Sequence, residues 1–592
     1  MRLEHRPTFW PVSSIVASHF KRALALVLVV VAIATGALFL FRSRTGTGSL
    51  SPVASDRPAR GGSLTASIRS EPVGYNRFVE PSAAADALSL ITNGRLVRVN
   101  RATDELEPGL AESWTTSDDG LTYTMKLREG IAFSDGTPFT SADVLFSARA
   151  VYDPTVNSPL AGALSVSQKP LVFEAPDDRT VVVRLPEPFT PGLRLLDSLP
   201  IFPRHKLETA LNEKRFAKAW AAGTPPAELA GLGPFVLTEH VPGQRLVFSR
   251  NPHYWRRDAA GEQLPYLDRL TWQIVSDQNT ESLRMESGDV DFMVNGDIRP
   301  EDFARFRRAQ DQGRLRLLDV GIALDPNLLW FNLGDPSPKR ELYRNRTFRQ
   351  ALSYAIDRNA IVNTVYLGAA VPIYGPVTEG NRHWYSNSAP TYPYDPARAR
   401  DMLASLGLKD ANGDGTLEQK DGTPVRFSVL TQRGHTVRER TVSMIQEHLR
   451  QVGIAVDAVT LDPASMFERF GKKDFDAIYY ALQASATDPA LSYDFWLSTG
   501  RLHLWNPGQP TPATDAERRI DELMHQQAAA KTQTERQRIF AEVQKIMGDE
   551  QFGIYLAAGR VTLAVSSKVR NPQPSLLIPQ LLWSADTLAA GK

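Results

Sequence analysis

Alternating apolar and polar positions predict β-strands at several places along the chain. In LTYTMKLR (121–128) every second residue is apolar, which is the period of a strand with one buried face. The sequences Asp119-Gly120 and Asp135-Gly136 on either side are typical of turns, because glycine adopts positive φ without steric cost. Further strands are predicted at Leu64–Ile68, at Thr180–Phe189, as a hairpin within Leu232–Trp255, and at Leu270–Ile274.

Apolar residues spaced three and four apart predict helices between these strands. Ser141 or Thr140 can cap a helix whose apolar face includes Val144 and Ala148. Further helices are predicted at Ser276–Met285 with Gly288 as the stop, at Phe348–Ile356, after the cap Asp395, and at Val442–Val452. The succession of strands and helices predicts an α/β fold, with a mixed sheet and helices packed on it.

Length, charge and cysteine content narrow the classes of protein to consider. With 592 residues the chain is too long for one small core, so two or more lobes are predicted. Its 67 basic and 66 acidic residues leave a net charge of +1, which argues against nucleic acid as a partner. The absence of cysteine excludes disulfides, thiolate metal sites, cysteine nucleophiles and a lipid-modified N-terminal cysteine.

An apolar run from Ala23 to Phe41 gives residues 1–60 a character of their own. Its length suits a membrane-spanning helix of about 17–25 residues better than a signal-peptide core of about 7–15 residues. Lys21 and Arg22 before the run favour a cytoplasmic N-terminus. Residues 1–60 are therefore predicted to form an uncleaved membrane anchor followed by a flexible tether. The alternative is a signal peptide that is cleaved late.

Motifs of the common hydrolases and nucleotide-binding enzymes do not occur in the sequence. The ten histidines form no HExxH pair, and there is neither a GxSxG elbow nor a GxxxxGK[ST] phosphate loop. Carboxylates are plentiful, as on any solvated surface, and their spacing identifies no catalytic pair. The chain is therefore predicted not to be an enzyme, with no catalytic residue assigned and no cofactor required.

One stretch, DANGDGTLEQKD (Asp410–Asp421), matches the pattern of a calcium-binding loop. In D-x-[DN]-x-[DN]-G, alternate oxygens converge on the ion and the glycine permits a sharp turn. The candidate ligands are Asp410, Asn412, Asp414, the backbone carbonyl of Thr416, Glu418 and Asp421. Asp421 stands where a bidentate glutamate is usual, which favours the alternative of a surface turn closed by its own hydrogen bonds. If Ca²⁺ binds, its role is structural.

The residues around the first predicted strand carry a family resemblance. PGLAESW and then DDGLTYTMKLREGIAFSDGTPFTSADVLFS, both within Glu107–Asp153, resemble the signature region of extracellular solute-binding protein family 5. Members of this family are the periplasmic dipeptide- and oligopeptide-binding components of ABC importers. Later segments resemble the same family in the same order, from about Gly61 to the C-terminus.

The resemblance implies a bilobed fold of the periplasmic-binding-protein type (type II, three subdomains) after the N-terminal transmembrane segment. It assigns 61–95 to lobe 1, 96–228 to an inserted small lobe, 229–325 to lobe 1, 326–550 to a second large lobe, and 551–592 to a return to lobe 1. A monomer in the periplasm, held at the inner membrane by the N-terminal helix, would capture a peptide-like solute by hinge closure and deliver it to ABC permease subunits. The alternative is a membrane-anchored sensor or chaperone with the same fold.

The resemblance also implies which residues contact the solute. Glu71, Tyr75 and Asn76 lie in a segment that resembles one passing beside the ligand in the family, and Ala481–Trp496 resembles the ligand-contacting segment. Tyr493, Trp496 and Trp505 are further candidates to line the pocket, since aromatic side chains often do so. A place in the core is the alternative for each of these aromatic residues.

One position departs from the family pattern. Peptide-binding relatives carry an aspartate that pairs with the α-ammonium group of the peptide, a few residues before an Asp-Pro. When Asp488-Pro489 is aligned with that Asp-Pro, Ser485 takes the position of the aspartate. A hydroxyl group cannot neutralise a desolvated ammonium ion as a carboxylate does. Unmodified peptides are therefore expected to bind weakly unless Asp488 supplies the charge.

Overall fold

The largest layer of the protein is a mixed sheet of eight strands. The computed structural model describes residues 59–334, 340–481 and 488–591. In the order of their hydrogen bonding, the strands are β10 (Phe235–Val241), β11 (Arg245–Arg250), β12 (Arg269–Ile274), β1 (Ser63–Ile68), β13 (Phe292–Asp297), β21 (Ala557–Ser566) and β14 (Leu315–Ile322), and β16 (Ala370–Pro372) pairs with β21. Strands from three distant parts of the chain therefore share this sheet.

Smaller sheets surround the first one. The second sheet contains β18 (Ala455–Leu461), β17 (Arg426–Gln432), β19 (Ala477–Ala481), β15 (Asn327–Phe331) and β20 (Gly553–Tyr555), in that order. A four-stranded sheet contains β4 (Ala111–Thr116), β5 (Thr122–Leu127), β9 (Thr180–Arg184) and β8 (Val172–Asp177). Three short pairs are β2 (Val97–Asn100) with β3 (Glu105–Pro108), β6 (Ser165–Val166) with β7 (Lys169–Pro170), and β22 (Val569–Arg570) with β23 (Ala589–Ala590).

Helices pack against these sheets. They are α1 (Ala83–Thr92), α2 (Ser141–Tyr152), α3 (Leu160–Ala163), α4 (Gly192–Leu195), α5 (Arg204–Asn212), α6 (Gln278–Ser287), α7 (Phe303–Asp311), α8 (Glu341–Arg344), α9 (Arg346–Ala355), α10 (Arg358–Thr364), α11 (Pro396–Ser405), α12 (Thr436–Arg450), α13 (Pro463–Gly471), α14 (Tyr493–Trp496), α15 (Asp515–Ala529) and α16 (Gln533–Glu550). Within the described residues no helix has both the length and the apolar character needed to cross a membrane. The predicted anchor, Ala23–Phe41, lies outside those residues.

Several elements confirm the local patterns of the sequence. Strand β5 has Tyr123, Met125 and Leu127 buried on one face, as the alternation predicts. Thr140, and not Ser141, is the N-cap of α2. Helix α6 ends at Gly288 with φ of 85°, which a glycine adopts without strain. The predicted cap Asp395 accepts a hydrogen bond from the backbone N–H of Arg398 at 2.9 Å.

The five-stranded sheet is covered by helices on both faces. Leu329 and Phe331 of β15 pack into one apolar core with residues of α9, α11 and α12. The alternate residues Leu328 and Trp330 pack into a second core with residues of α13, α15 and α16. Side chains alternate between the two faces of a strand, so this one short strand contributes to both cores.

Two adjacent strands connect the large sheet to the five-stranded sheet. Strands β14 and β21 are antiparallel neighbours in the large sheet, and β15 and β20 are antiparallel neighbours in the five-stranded sheet. Along the chain, β14 leads into β15, and β20 leads back into β21. The backbone N–H of Ala323 donates to the carbonyl of Gly559 at 2.8 Å and ties the connection after β14 to the start of β21. The lobe boundaries implied by the family resemblance stay a prediction.

A buried arginine fastens the segments next to these connections. Arg358, at the start of α10, is buried, with 3% of its surface exposed. Its guanidinium donates to the carbonyls of Ser353 (2.9 Å), Tyr555 (2.9 Å), Ile373 (3.1 Å) and Tyr392 (3.2 Å). Burial lowers the pKa of Arg358 to about 10, so the group stays charged at neutral pH.

We expect Arg358→Met to lower the free energy of unfolding by about 3–5 kcal/mol, because buried carbonyl groups would lose their donor. Urea denaturation followed by circular dichroism measures the change. Arg440→Met removes an exposed arginine from α12 and serves as the control, with an expected change within about 0.5 kcal/mol. Equal effects of the two substitutions would contradict a structural role for the Arg358 hydrogen bonds.

Candidate functional site

The ends of four strands of the five-stranded sheet lie together along one edge of the sheet. Strands β17, β18 and β19 are parallel, so their carboxyl ends at Gln432, Leu461 and Ala481 lie on the same side of the sheet. Strand β15 is antiparallel to β19, and its first residue, Asn327, is paired with Ala481. In open α/β sheets ligands bind beside the carboxyl ends of the strands. This edge, which faces the connection to the large sheet, is the candidate site.

Asp325 lies in the connection between β14 and β15, two residues before that edge. Its side chain is partly buried, and Oδ1 has no hydrogen-bond partner among the described residues. Burial raises the pKa of Asp325 to about 7, although the positive charge of Arg438 opposes the shift. The hydroxyl of Tyr555 is buried nearby and has no partner among the described residues either. Asp325 thus has one carboxylate oxygen that is desolvated and, among the described residues, has no hydrogen-bond partner.

Arg438, on the first turn of α12, is fixed to the same edge. Its Nε donates to Oδ1 of Asn327 at 2.8 Å, and its Nη1 donates to Oε1 of Gln432 at 2.5 Å. The guanidinium carbon lies 3.9 Å from the centre of the Tyr480 ring. The side chain is 9% exposed. Contacts to two strands and a ring hold the positive charge in place, as a preorganised binding group requires.

His435 caps the helix that carries Arg438. Burial, with a further contribution from the charge of Arg438, lowers the pKa of His435 to about 4. The imidazole is therefore neutral at pH 7. With His435 neutral, the groups of opposite charge at this edge are the carboxyl group of Asp325 and the guanidinium of Arg438. This pair suits a solute that carries both charges or strong dipoles.

The predicted contact residues Glu71, Tyr75 and Asn76 bond to neighbouring parts of the chain. Glu71 accepts from the backbone N–H of Gly243 at 2.9 Å, and this hydrogen bond is the main reason that the pKa of Glu71 is lowered. Tyr75 Oη lies 2.7 Å from Nδ1 of His240. Asn76 Nδ2 donates to the carbonyl of Phe216 at 2.9 Å. These bonds fix the segment after β1, and its role in ligand contact stays a prediction.

Asp488 is bound by an arginine of the protein itself. Its Oδ2 accepts from Nη1 of Arg536 at 2.7 Å, and its Oδ1 accepts from Nη2 at 2.6 Å. Both side chains are buried, with 3% and 4% exposed. Such a bidentate pair neutralises the carboxylate. Ser485, the other residue in the ammonium argument, lies outside the described residues.

Trp496 and Trp505 lie in the core on one face of the five-stranded sheet. They are 0% and 1% exposed, and the Trp505 indole donates to Oε1 of Glu517 at 3.0 Å. Tyr493 is partly buried, and its hydroxyl donates to the carbonyl of Met524 at 3.1 Å. The side chains of the two tryptophans therefore lie in the core, which was the alternative to a place in the pocket. A ligand contact from Tyr493 stays a prediction.

The predicted calcium ligands fall into two groups. Asp410, Asp414 and Glu418 bring carboxylate oxygens within 4.8 Å of one another. Asp421 does not belong to this group, and its Oδ1 instead accepts from the backbone N–H of Thr423 at 2.9 Å. Asn412 lies beside Asp414, to which its Nδ2 donates at 3.1 Å. Thr416 donates its backbone N–H to Oδ1 of Asp414 at 2.8 Å.

The fold and sequence place the protein in a known class. Its α/β architecture is shared with the oligopeptide-binding protein AppA from Bacillus subtilis, whose structure was solved in complex with a nonapeptide. The two structures align with a TM-score of 0.70 at 24% sequence identity, over 90% of this chain and 100% of the AppA chain. The chain is 28% identical to AppA over 436 residues, 72% of this chain and 74% of AppA. A probable ABC transporter-binding protein of Deinococcus radiodurans is 26% identical over 518 residues, 84% of this chain and 86% of that protein.

Residues 105–502 match the family described as bacterial extracellular solute-binding proteins, family 5 Middle. The chain therefore belongs to this family, and the family resemblance and the periplasmic-binding-protein fold predicted from the sequence are confirmed. The solute-binding function predicted with them is confirmed at the level of the family. The family is extracellular or periplasmic, and the relatives named here are binding proteins, in keeping with a chain that is not an enzyme.

Asp325 and Arg438 were not among the residues nominated from the sequence. Asp325-Pro326 follows a strand and precedes another, which is the ordinary composition of a loop. Arg438 stands in a helix with several other charged residues. The strand alternation before Asp325 was a usable signal that it ends a strand, but the edge that brings the two charges together depends on pairing between distant segments.

We expect Asp488→Asn to lower the free energy of unfolding by about 3–5 kcal/mol, because Arg536 would be left as a buried charge without its partner. The double variant Asp488→Leu/Arg536→Met removes both charges and should recover much of that loss. Urea denaturation measures all three proteins.

The matched control is Asp494→Asn, which changes a largely exposed carboxylate six residues further along the same segment. Its expected effect is within about 0.5 kcal/mol. A stability of Asp488→Asn equal to that of the control would show that the ion pair does not support the fold.

Proposed function

We propose that the protein is the solute-binding component of an ABC importer and that it captures a peptide-like solute between two lobes by hinge closure. Membership of the family and the oligopeptide-binding relative AppA support this function. The paired connections between the large and the five-stranded sheet are the natural hinge, because few backbone torsions need to change there. The partners would be the permease subunits of the importer. Membership of the family and the similarity to AppA both favour an importer over a sensor or chaperone.

The observation that carries the proposal is the carboxylate of Asp325, whose Oδ1 has no hydrogen-bond partner among the described residues, beside the fixed charge of Arg438. Burying a carboxylate without a partner costs free energy, and such groups cluster at binding sites. Ser485 offers no charge to an ammonium group, and Asp488 is already paired with Arg536. We assign Asp325 to the cationic group of the solute. Arg438 would orient its polar or anionic end.

We expect Asp325→Asn to stabilise the protein while it weakens solute binding. The raised pKa of Asp325, about 7, means that ionisation is opposed in the folded state. The resulting cost is absent near pH 4, grows up to pH 7 and is complete above it. The substitution should therefore raise the free energy of unfolding by about 2–4 kcal/mol at pH 8 and change it little at pH 4. Urea denaturation at both pH values measures this.

Calorimetry with free peptides and their N-acetylated forms tests the assignment of the solute. Loss of one charge-assisted hydrogen bond predicts about 10–100-fold weaker binding of free peptides to Asp325→Asn than to the wild type. Acetylated peptides should not distinguish the two proteins. The control Asp319→Asn alters an exposed carboxylate of β14 and should leave affinity unchanged. Free-peptide affinity that survives Asp325→Asn would remove Asp325 from the site.

Failure of every peptide to bind the wild type would instead overturn the solute class. Native mass spectrometry of the freshly purified protein would then identify a retained solute by its mass. This outcome is independent of the stability measurement on Asp325→Asn, so an error in the solute class can be told apart from an error in the role of that residue.

The apolar run of residues 23–41 leads to a separate prediction. We propose that residues 23–41 remain as an uncleaved helix, that the body lies in the periplasm as a monomer, and that the tether holds it at the inner membrane. The protein should stay in the membrane fraction after alkaline carbonate, and N-terminal sequencing should read from the first residues. A variant with a signal-peptidase site inserted after Phe41 is the control and should be released. A natural start between residues 49 and 62 would contradict the anchor.

A further inference from the structure

Three carboxylates converge in the loop between α11 and β17. Carboxylate oxygens of Asp410, Asp414 and Glu418 all lie within 4.8 Å of one another. In the part of the chain that the structure describes, none of the three is paired with a lysine or arginine. Like charges this close repel one another, so hydrogen bonds or a cation must hold them together.

Hydrogen bonds from the loop satisfy the first two carboxylates in part. Asp410 accepts from the backbone N–H groups of Gly413 (2.7 Å) and Gly415 (3.0 Å). Asp414 Oδ1 accepts from the N–H of Thr416, and this hydrogen bond is the main cause of its lowered pKa. These bonds curl the loop around the two side chains. By themselves they describe an ordinary surface turn.

Glu418 does not fit an ordinary turn. Its side chain is 6% exposed, and its Oε2 accepts from the backbone N–H of Ala411 at 2.7 Å. The other oxygen, Oε1, is buried and has no hydrogen-bond partner among the described residues. Glu418 therefore has a buried oxygen without a partner among the described residues, and the same side chain belongs to a cluster with two more carboxylates. Such an oxygen is costly to bury unless a cation is bound there.

We propose that this loop binds one Ca²⁺ ion through Asp410, Asp414 and Glu418. The donors are all oxygens, which a hard cation prefers, and no histidine or cysteine is present in the stretch 410–421 to favour a softer metal. The carbonyl of Thr416 and the amide oxygen of Asn412 would add ligands, with water completing the shell. Glu418 thus takes the role that the sequence pattern gives to Asp421.

The loop is anchored far from the candidate solute site. The N–H of Glu418 donates to the carbonyl of Lys409 at 2.8 Å, and that of Leu417 donates to Gly453 at 2.7 Å, just before β18. The loop therefore sits at the amino ends of β17 and β18, whereas Asn327, Gln432 and Arg438 lie at the carboxyl ends. Calcium should stabilise this part of the protein and leave solute binding unchanged.

Isothermal titration of the chelator-treated full-length protein in detergent with CaCl₂ tests the proposal. We expect binding of one Ca²⁺ per chain. The melting temperature should rise by about 2–5 °C in millimolar CaCl₂ relative to EDTA, because the ion binds only the folded state. MgCl₂ should produce a smaller shift, since Mg²⁺ demands a stricter octahedral shell.

Asp414→Asn and Glu418→Gln keep the shape of the side chains and remove one charge each. Both should lose at least tenfold in Ca²⁺ affinity. In EDTA, Asp414→Asn should melt at or above the wild type because a repulsion is relieved. Asp421→Asn is the control and should bind Ca²⁺ as the wild type does.

Absence of calcium uptake by the wild type would overturn the site, whatever the folding of the variants. Uptake that both substitutions leave intact would place the ion elsewhere. Uptake that Asp421→Asn abolishes would return the binding to the ordinary loop pattern and contradict the ligand set proposed here. Circular dichroism in EDTA confirms that each variant is folded.

Discussion

The structure depends on how closely two strands pass each other between the large and the five-stranded sheet. The connection after β14 runs beside the first residues of β21 and is joined to them by the hydrogen bond from Ala323 to Gly559. A third segment packs against them at Gly380, where a Cβ atom would lie 1.9 Å from the carbonyl oxygen of Ile322. Only glycine allows that approach. Arg358 then fixes the carbonyl of Tyr555 at the end of β20.

Local patterns of the sequence predicted the elements well, because a strand or a helix is determined largely by its own residues. The alternation over 121–128, the cap at Asp395 and the stop at Gly288 all appear in the structure. The N-cap of α2 shows the limit of this reasoning. Thr140 and Ser141 have similar capping groups, and the choice depends on Asp143, whose Oδ2 accepts from the N–H of Thr140 at 3.0 Å.

The candidate site could be predicted only in part, because its geometry is not local. Asp325 and Arg438 are more than one hundred residues apart, and they meet only because β15 pairs with β19 and β19 with β17. Asp488 and Arg536 are 48 residues apart in sequence, so no local spacing rule could have shown that this carboxylate already has a partner. In the proposed calcium loop, by contrast, the three carboxylates that converge are close neighbours in sequence, and the pattern had named all three as candidates.

The order of the strands along the chain has a consequence for synthesis. β21 lies between β13 and β14 in the large sheet, and β20 completes the five-stranded sheet beside β15, yet both come from residues 553–566. Neither sheet can close until nearly the whole polypeptide has left the ribosome. Contacts between segments so distant in sequence also form slowly. A chain that cannot finish folding during translation stays unfolded until synthesis is nearly complete. An unfolded chain is what export through a narrow membrane channel requires.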